Sequence, residues 1–340
     1  MKKPLFKIRE KGYYGFINAE GEVEIEPQYL EAGDFYNGFA CVRLNDRWVL
    51  IDALGRLYLR RAYRFIGSFE EDLARVQVVQ AWGFIDRRGR EAIVPRFEDA
   101  RDFHEGLAAV RFNERTGFLH VNGEFSIPPT LEAAGDFNKG LAPAARDGRW
   151  GFIDRQGKFV LPAQWDIAQS FQNEVAVVAE KGRWGLIDRN GRILLEPQFE
   201  FVKGHSHGEF FDGMALAFRD GKYGFVDQNG RLAVEPMFDL AGDFGEGLAL
   251  VEINGAFGYI DRAGKLAIMP KFEDAGVFSE GLAQVRSNGH WGYINTEGHI
   301  VIPAAYEAAT PFRDGLALVV AGGGTWQYID RFGGVVWREL

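Results

Sequence analysis

The stretch Trp150-Gly151-Phe152-Ile153-Asp154-Arg155-Gln156-Gly157-Lys158-Phe159-Val160-Leu161-Pro162 decides how this chain folds. Its two short apolar runs, Trp150 to Asp154 and Lys158 to Leu161, are rich in the β-branched and aromatic residues that strands prefer. Between them, Asp154-Arg-Gln-Gly157 reads as a tight turn whose glycine takes a positive φ that other residues adopt only at a cost. The hairpin recurs from end to end. An aromatic followed by glycine opens it at Tyr14, Trp82, Trp150, Trp184, Tyr223, Phe257 and Trp291, with Trp48-Val49, Thr116-Gly117 and Trp326-Gln327 as degraded copies. Successive copies lie 34 residues apart, except for a step of 39 after Trp184 and one of 35 before Trp326. A fixed step of this kind marks a tandem array.

Other positions keep the same step. A glycine follows seven residues after every opening position, from Gly21 to Gly333, and a phenylalanine follows after 21, as in Phe35, Phe103, Phe171 and Phe312. A helix pair also repeats every 34 residues or so, but each unit here carries three or more glycines, and usually a proline, between apolar runs of four to seven residues. Helices of ten residues do not fit such spacing. The sequence therefore predicts an all-β chain of about ten three-stranded antiparallel units, starting near residues 5, 38, 72, 106, 140, 174, 213, 247, 281 and 315. One domain spans residues 1–340, because a unit of this size buries too little surface to stand alone. The turn acids, Asp52, Asp86, Asp154, Asp188, Asp227, Asp261 and Asp330 with Asn18 and Asn295 as substitutes, are expected to bond backbone amides two residues on.

Small sheets in series either close into a propeller or wind on as a solenoid. Propellers usually have four to eight blades, and here about ten units begin and end in one phase with no strand exchanged between the chain ends. The expectation is an open, curved superhelix, with a closed multi-bladed β-propeller as the alternative. The proline of the third strand, as in Pro27 or Pro197, is expected to end that strand, and the glycine beside the aromatic to admit a neighbouring unit.

The unit resembles the WG repeat of bacterial proteins, named for its Trp-Gly pair and often followed by Phe-Ile-Asp, over Gly12 to about Arg331. The resemblance implies a bacterial β-repeat protein without an established catalytic residue. Copies two and four depart most from the pattern, at Trp48-Val49 and Thr116-Gly117.

A formal charge of −9 argues against nonspecific nucleic-acid binding, which needs a basic surface. The lone Cys41 has no partner for an internal disulfide and reads as a small core residue. No stretch has the length or character of a signal peptide or a membrane span, so the expected location is cytoplasmic. Walker, dinucleotide, Gly-x-Ser-x-Gly and Cys-x-x-Cys motifs are absent, and no catalytic residue or cofactor is expected.

Departures from the repeat offer the candidate sites. The five-residue insertion holds Lys203, His205, His207 and Glu209; the two histidines with Glu209 are conceivable metal ligands, although a surface loop is the default. Arg56, Arg60, Arg61 and Arg64 form a basic cluster on an acidic protein. Glu105, Asp212, Glu246, Glu280 and Asp314, each before a recurring glycine, are expected to line one edge with negative charge. The expected role is a noncatalytic scaffold that binds a protein. A glycan-binding module is the alternative and a metal-dependent enzyme a weaker third. Exposed Trp165 and Tyr306 would favour glycan, and buried ones the scaffold.

Overall fold

The computed structural model describes residues 4–35, 38–45, 47–57, 63–202 and 208–340. These form ten small antiparallel sheets, and no helix occurs among the described residues. The fifth sheet is representative: Ala133–Ala134, Ala142–Arg146, Arg149–Ile153 and Phe159–Trp165 pair in chain order. Its two inner strands are the buried ones, with Ala142 to Ala145 and Gly151 to Ile153 enclosed, while the last strand alternates exposed and covered side chains as an edge strand does.

Eight of the sheets have four strands where three were expected. The return segment between sheets supplies the difference, pairing with the first strand of the next sheet through two residues in most blades, as Asp99 with Arg111 and Ala100 with Val110, and through four at Phe65–Glu70 and Leu240–Gly245. We call this piece the entry strand. The first sheet has three strands, β1 (Phe6–Glu10), β2 (Tyr13–Ile17) and β3 (Val23–Tyr29), and no entry strand among the described residues.

The aromatic-glycine pair has a local cause. Trp150 lies opposite Trp165 and Phe152 opposite Leu161, so the last strand carries extra residues opposite Gly151. A Cβ on Gly151 would stand 2.5 Å from the Leu161 carbonyl oxygen and 2.6 Å from the Pro162 backbone. Glycine thus admits a bulge of its own sheet rather than a neighbouring unit. The proline sits inside the bulge and does not end the strand, because the residues there leave the ladder and need no amide donor.

Between sheets the adhesive is a different aromatic. Phe152 of the fifth sheet meets Phe171 of the sixth at 4.7 Å, and the same pair recurs as Phe16–Phe35, Phe84–Phe103, Phe118–Phe137, Phe225–Phe244, Tyr259–Phe278 and Tyr293–Phe312, all within 4.7 to 4.9 Å. These are edge-to-face or tilted contacts, the arrangements that ring quadrupoles favour. By contrast, the opening aromatics Tyr14, Trp82, Trp150, Trp291 and Trp326 are only half-buried; Trp184, fully enclosed against Phe199, is an exception. The turn glycine adds a second contact, with Gly157 against Ile127 and Gly298 against Ile268 of the preceding sheet.

The array closes into a ten-bladed β-propeller, which corrects the expectation of an open superhelix. Phe6 of the first blade packs on Tyr328 of the last at 5.5 Å, in a cluster with Ile8, Ile17, Leu316 and Trp337. The Arg9 guanidinium bonds both carboxylate oxygens of Glu339 at 3.0 and 3.2 Å. Gly21 abuts Val336 just as other turn glycines abut their preceding blade. Among the described residues no strand crosses the seam; side-chain contacts between the first and last blades seal the ring, so a strand exchange between the chain ends is not required.

Replacing Phe152 by alanine should cost about 3–5 kcal/mol, because a filled inter-blade site cannot collapse fully; chemical denaturation measures it. Gly151→Ala should cost at least about 1–3 kcal/mol by forcing the bulge outward. It is checked by the same titration, with Gly322→Ala as a comparison whose Cβ meets nothing within 4 Å and whose φ is not in the left-handed region.

Candidate interaction site at the ring seam

Two clefts flank β1 where the first and last blades meet. One, of about 730 Å³, is lined by Leu5, Phe6 and Lys7 from the first blade and by Phe312, Trp326 and Tyr328 from the last, among others. The second, of about 480 Å³, adds Tyr14, Glu31, Trp48 and Arg64 to Lys7 and Trp326, and so reaches across to the second and third blades. The half-buried Tyr14, Trp48 and Trp326 present aromatic surface beside the exposed charges of Glu31 and Arg64. Tyr14 and Trp326 meet edge-on at 6.4 Å, and the Arg9 guanidinium lies over Trp326 at 4.8 Å. Apolar rings with a few charged neighbours suit a ligand that presents both kinds of group.

The basic cluster is only partly gathered here. Arg64 lines the second cleft, whereas Arg56 turns back to Asp52, bonding it at 2.7 Å. Burial works against ionisation of Asp52, but hydrogen bonds from the Arg56 side chain and from the Arg56 and Leu54 amides outweigh it and hold the carboxyl below its usual range. Arg60 and Arg61 lie outside the described residues, as do Lys203, His205 and His207; Glu209 is described and exposed. Among the described residues no three His, Cys, Asp or Glu side chains converge on a metal-sized site, and no helix is long and apolar enough to cross a membrane.

The acids expected to form a free negative edge are engaged instead. Glu105 accepts hydrogen bonds from the Lys139 and Gly140 amides, Asp212 from Gly247 at 2.7 Å, Glu246 from Gly281 at 2.8 Å and Glu280 from Gly315 at 2.9 Å. Each carboxylate thus ties its blade to the next. Asp314 pairs with Arg313 at 3.5 Å. The turn acids act as expected: the Asp154 carboxylate accepts from the Gln156 and Lys158 amides at 3.0 and 2.9 Å.

A third set of acids escaped the sequence reading. Glu98, Glu132, Asp166, Asp239, Glu273 and Glu307, each just before or at the start of an entry strand, accept from amides in the first hairpin of the same blade, as Gly148 to Glu132 at 2.9 Å and Gly289 to Glu273 at 2.9 Å. Their signal was the recurring acid after the last-strand aromatic, visible as Phe97-Glu98 and Phe272-Glu273. Trp165 is buried at 7 % exposure while Tyr306 is half-buried, so the two aromatics that were to separate glycan from scaffold divide between them.

Cys41 borders the second cleft, yet burial pushes its thiol up to about 11. The neutral thiol is favoured in the fold, so this contribution to stability is lost as pH rises from the unfolded value near 8.5 toward 11. Alkylation of native protein by iodoacetamide should accordingly be at least tenfold slower at pH 8 than that of the urea-unfolded chain. Equal rates, followed by mass spectrometry, would contradict the burial.

The sequence profile described as WG containing repeat matches residues 14–48, 82–115, 117–150, 150–184, 184–223, 223–255, 257–290 and 291–326. No curated protein matches the chain in sequence. Among solved structures, a eukaryotic initiation factor is similar at a TM-score of 0.52 and 13% identity, covering 100% of this chain and 96% of the other. BamB from Moraxella catarrhalis aligns at 0.40 and 12%, covering 90% and 95%. The computationally designed Ika8 protein aligns at 0.39 and 12%, covering 96% and 99%. At such identities the first likeness speaks to fold alone. With the repeat matched over most of its length, one period of it to each blade, this chain belongs to the WG-repeat family.

Proposed function

We propose that the protein is a noncatalytic binding module that engages a protein partner at the ring seam. The observation that carries this reading is the pair of adjoining clefts around β1, where Tyr14, Trp48 and Trp326 stand partly open beside Lys7, Glu31 and Arg64. Tryptophan, tyrosine and arginine are the side chains that most often dominate protein interfaces. Elsewhere the acids that might have recruited a basic partner are bonded to neighbouring blades, which leaves the seam as the better-equipped face. The half-exposed Tyr306 and the open seam aromatics favour glycan binding as the second reading.

Photocrosslinking in the native cell tests the choice. A benzoylphenylalanine in place of Arg64 should give a discrete protein adduct, whereas one in place of Phe332, 90 % exposed on a turn of the last blade, should not. Equal labelling at both positions, or adducts only with carbohydrate at position 64, would overturn the protein-partner reading.

A further inference from the structure

Resting on the binding-module reading, the geometry points to a particular ligand: a short extended peptide bearing an acidic residue, which pairs with the uncovered edge of β1 in the manner of an entry strand. In eight blades that edge is covered, at the same register each time. The pairs are Glu31 with Arg43, Phe65 with Gln77, Asp99 with Arg111, Ala133 with Ala145, Ile167 with Ala179, Leu240 with Glu252, Asp274 with Arg286 and Ala308 with Val320. By the repeat, the corresponding residue of β1 is Arg9, and its neighbour in the pairing is Ile8. No entry strand covers them among the described residues.

Hydrogen bonds at the edge show the same difference from another side. The amides of Gly33, Arg101, Gly135, Gln169, Gly276 and Thr310 donate to the carbonyls of Cys41, Ala109, Pro143, Val177, Gln284 and Leu318, at 2.8 to 3.0 Å. The equivalent carbonyl in β1 belongs to Lys7, and there the Tyr328 hydroxyl donates instead, at 2.9 Å. Tyr259 and Tyr293, its counterparts in the eighth and ninth blades, donate to the entry-segment carbonyls of Gly276 and Thr310, at 2.7 and 2.8 Å. Tyr328 therefore stands in at a backbone position that an entry segment serves in the other blades. A bound peptide would take the Lys7 carbonyl with its own amide and offer Tyr328 a carbonyl in exchange.

The chain's own entry segments define what fits. They read acid-x-Ala around the pairing residues, as Glu98-Asp-Ala100, Glu132-Ala-Ala134, Asp239-Leu-Ala241 and Glu273-Asp-Ala275. The acid answers hairpin amides whose equivalents in the first blade are Lys11 and Gly12. Arg9 already pairs with Glu339 and Lys7 with Asp34, so the cation of this edge placed to attract the ligand's acid is Lys11, beside the hairpin amides. The segment's terminal phenylalanine is dispensable, since Phe6 already occupies the aromatic contact on Tyr328. Strand addition supplies affinity through main-chain bonds and specificity through such alternate side chains.

A capped, fluorescein-labelled peptide with the sequence of Glu273 to Val277 is the probe, titrated into the full chain by fluorescence polarisation. We expect saturable binding with Kd below about 1 mM. Replacing the peptide's glycine with N-methylglycine, which removes the amide aimed at Lys7, should weaken it at least tenfold. Lys11→Glu in the protein should weaken it several-fold without shifting the melting curve. In a strand, N–H and C=O of one residue face the same edge, so hydrogen exchange of the Lys7 and Arg9 amides should slow on binding. Absence of saturable binding, indifference to N-methylation, or protection elsewhere would overturn the proposal. So would a dimer in sedimentation whose interface protects these two amides, since a second copy would then be the occupant. If crosslinking at position 64 still captures a protein while the peptide fails, the binding-module reading stands and only the strand pairing falls.

Discussion

One contact, between the aromatic at the centre of a middle strand and the phenylalanine at the end of the next entry segment, sets the spacing of this molecule. It is nearly invariant in distance from blade to blade, at 4.7 to 4.9 Å, and both partners are almost fully enclosed. Among the described residues seven junctions carry this ring pair, and at each of them the core of one blade is completed by its successor. Burial of one such side chain contributes on the order of 1.5–3 kcal/mol, and repetition around the ring makes the sum cooperative. The Trp-Gly pair that marks the repeat does something else. Its glycine opens room for the bulge that bends each last strand, and most of its aromatics are only half-buried.

Around that apolar spine runs a polar lacing in which nearly every periodic acid has an amide to accept from. Turn acids hold their own hairpins, acids before the first-strand glycine hold the next blade, and acids of the entry segments hold the hairpin they enter. Basic residues complete the lacing, as where Arg155 reaches the Glu105 carbonyl at 2.8 Å and Arg189 that of Asn138 at 3.2 Å. An acidic formal charge on this protein is therefore in large part structural, and the seam differs because β1 meets the side chains of the last blade where other first strands meet an entry segment.

Much of this was legible in the sequence. The 34-residue step, the strand hairpin, the turn glycines and the turn acids follow from local chemistry that each unit restates, so ten copies average away the uncertainty of one. Less legible were contacts between residues far apart in a unit. Most entry strands have only two residues, too short for a period to show, and the role of Glu105 or Glu273 depends on an amide about 16 to 35 residues away. The insertion at Lys203 to His207 and the pair Arg60-Arg61 fall outside the described residues.

By itself, then, the sequence determined the all-β repeat, its hairpins and the number of units, because hydrophobic period and turn chemistry act over a few residues. Tertiary structure alone decided that the array is a ring. Closure depends on the small rotation between successive blades accumulating until Phe6 meets Tyr328 and Arg9 meets Glu339, residues at opposite ends of the chain. No local pattern encodes that rotation, since it is fixed by how rings and bulges pack between sheets. Among the described residues the outer edge of β1 carries no entry strand, and the same rotation brings the last blade beside it.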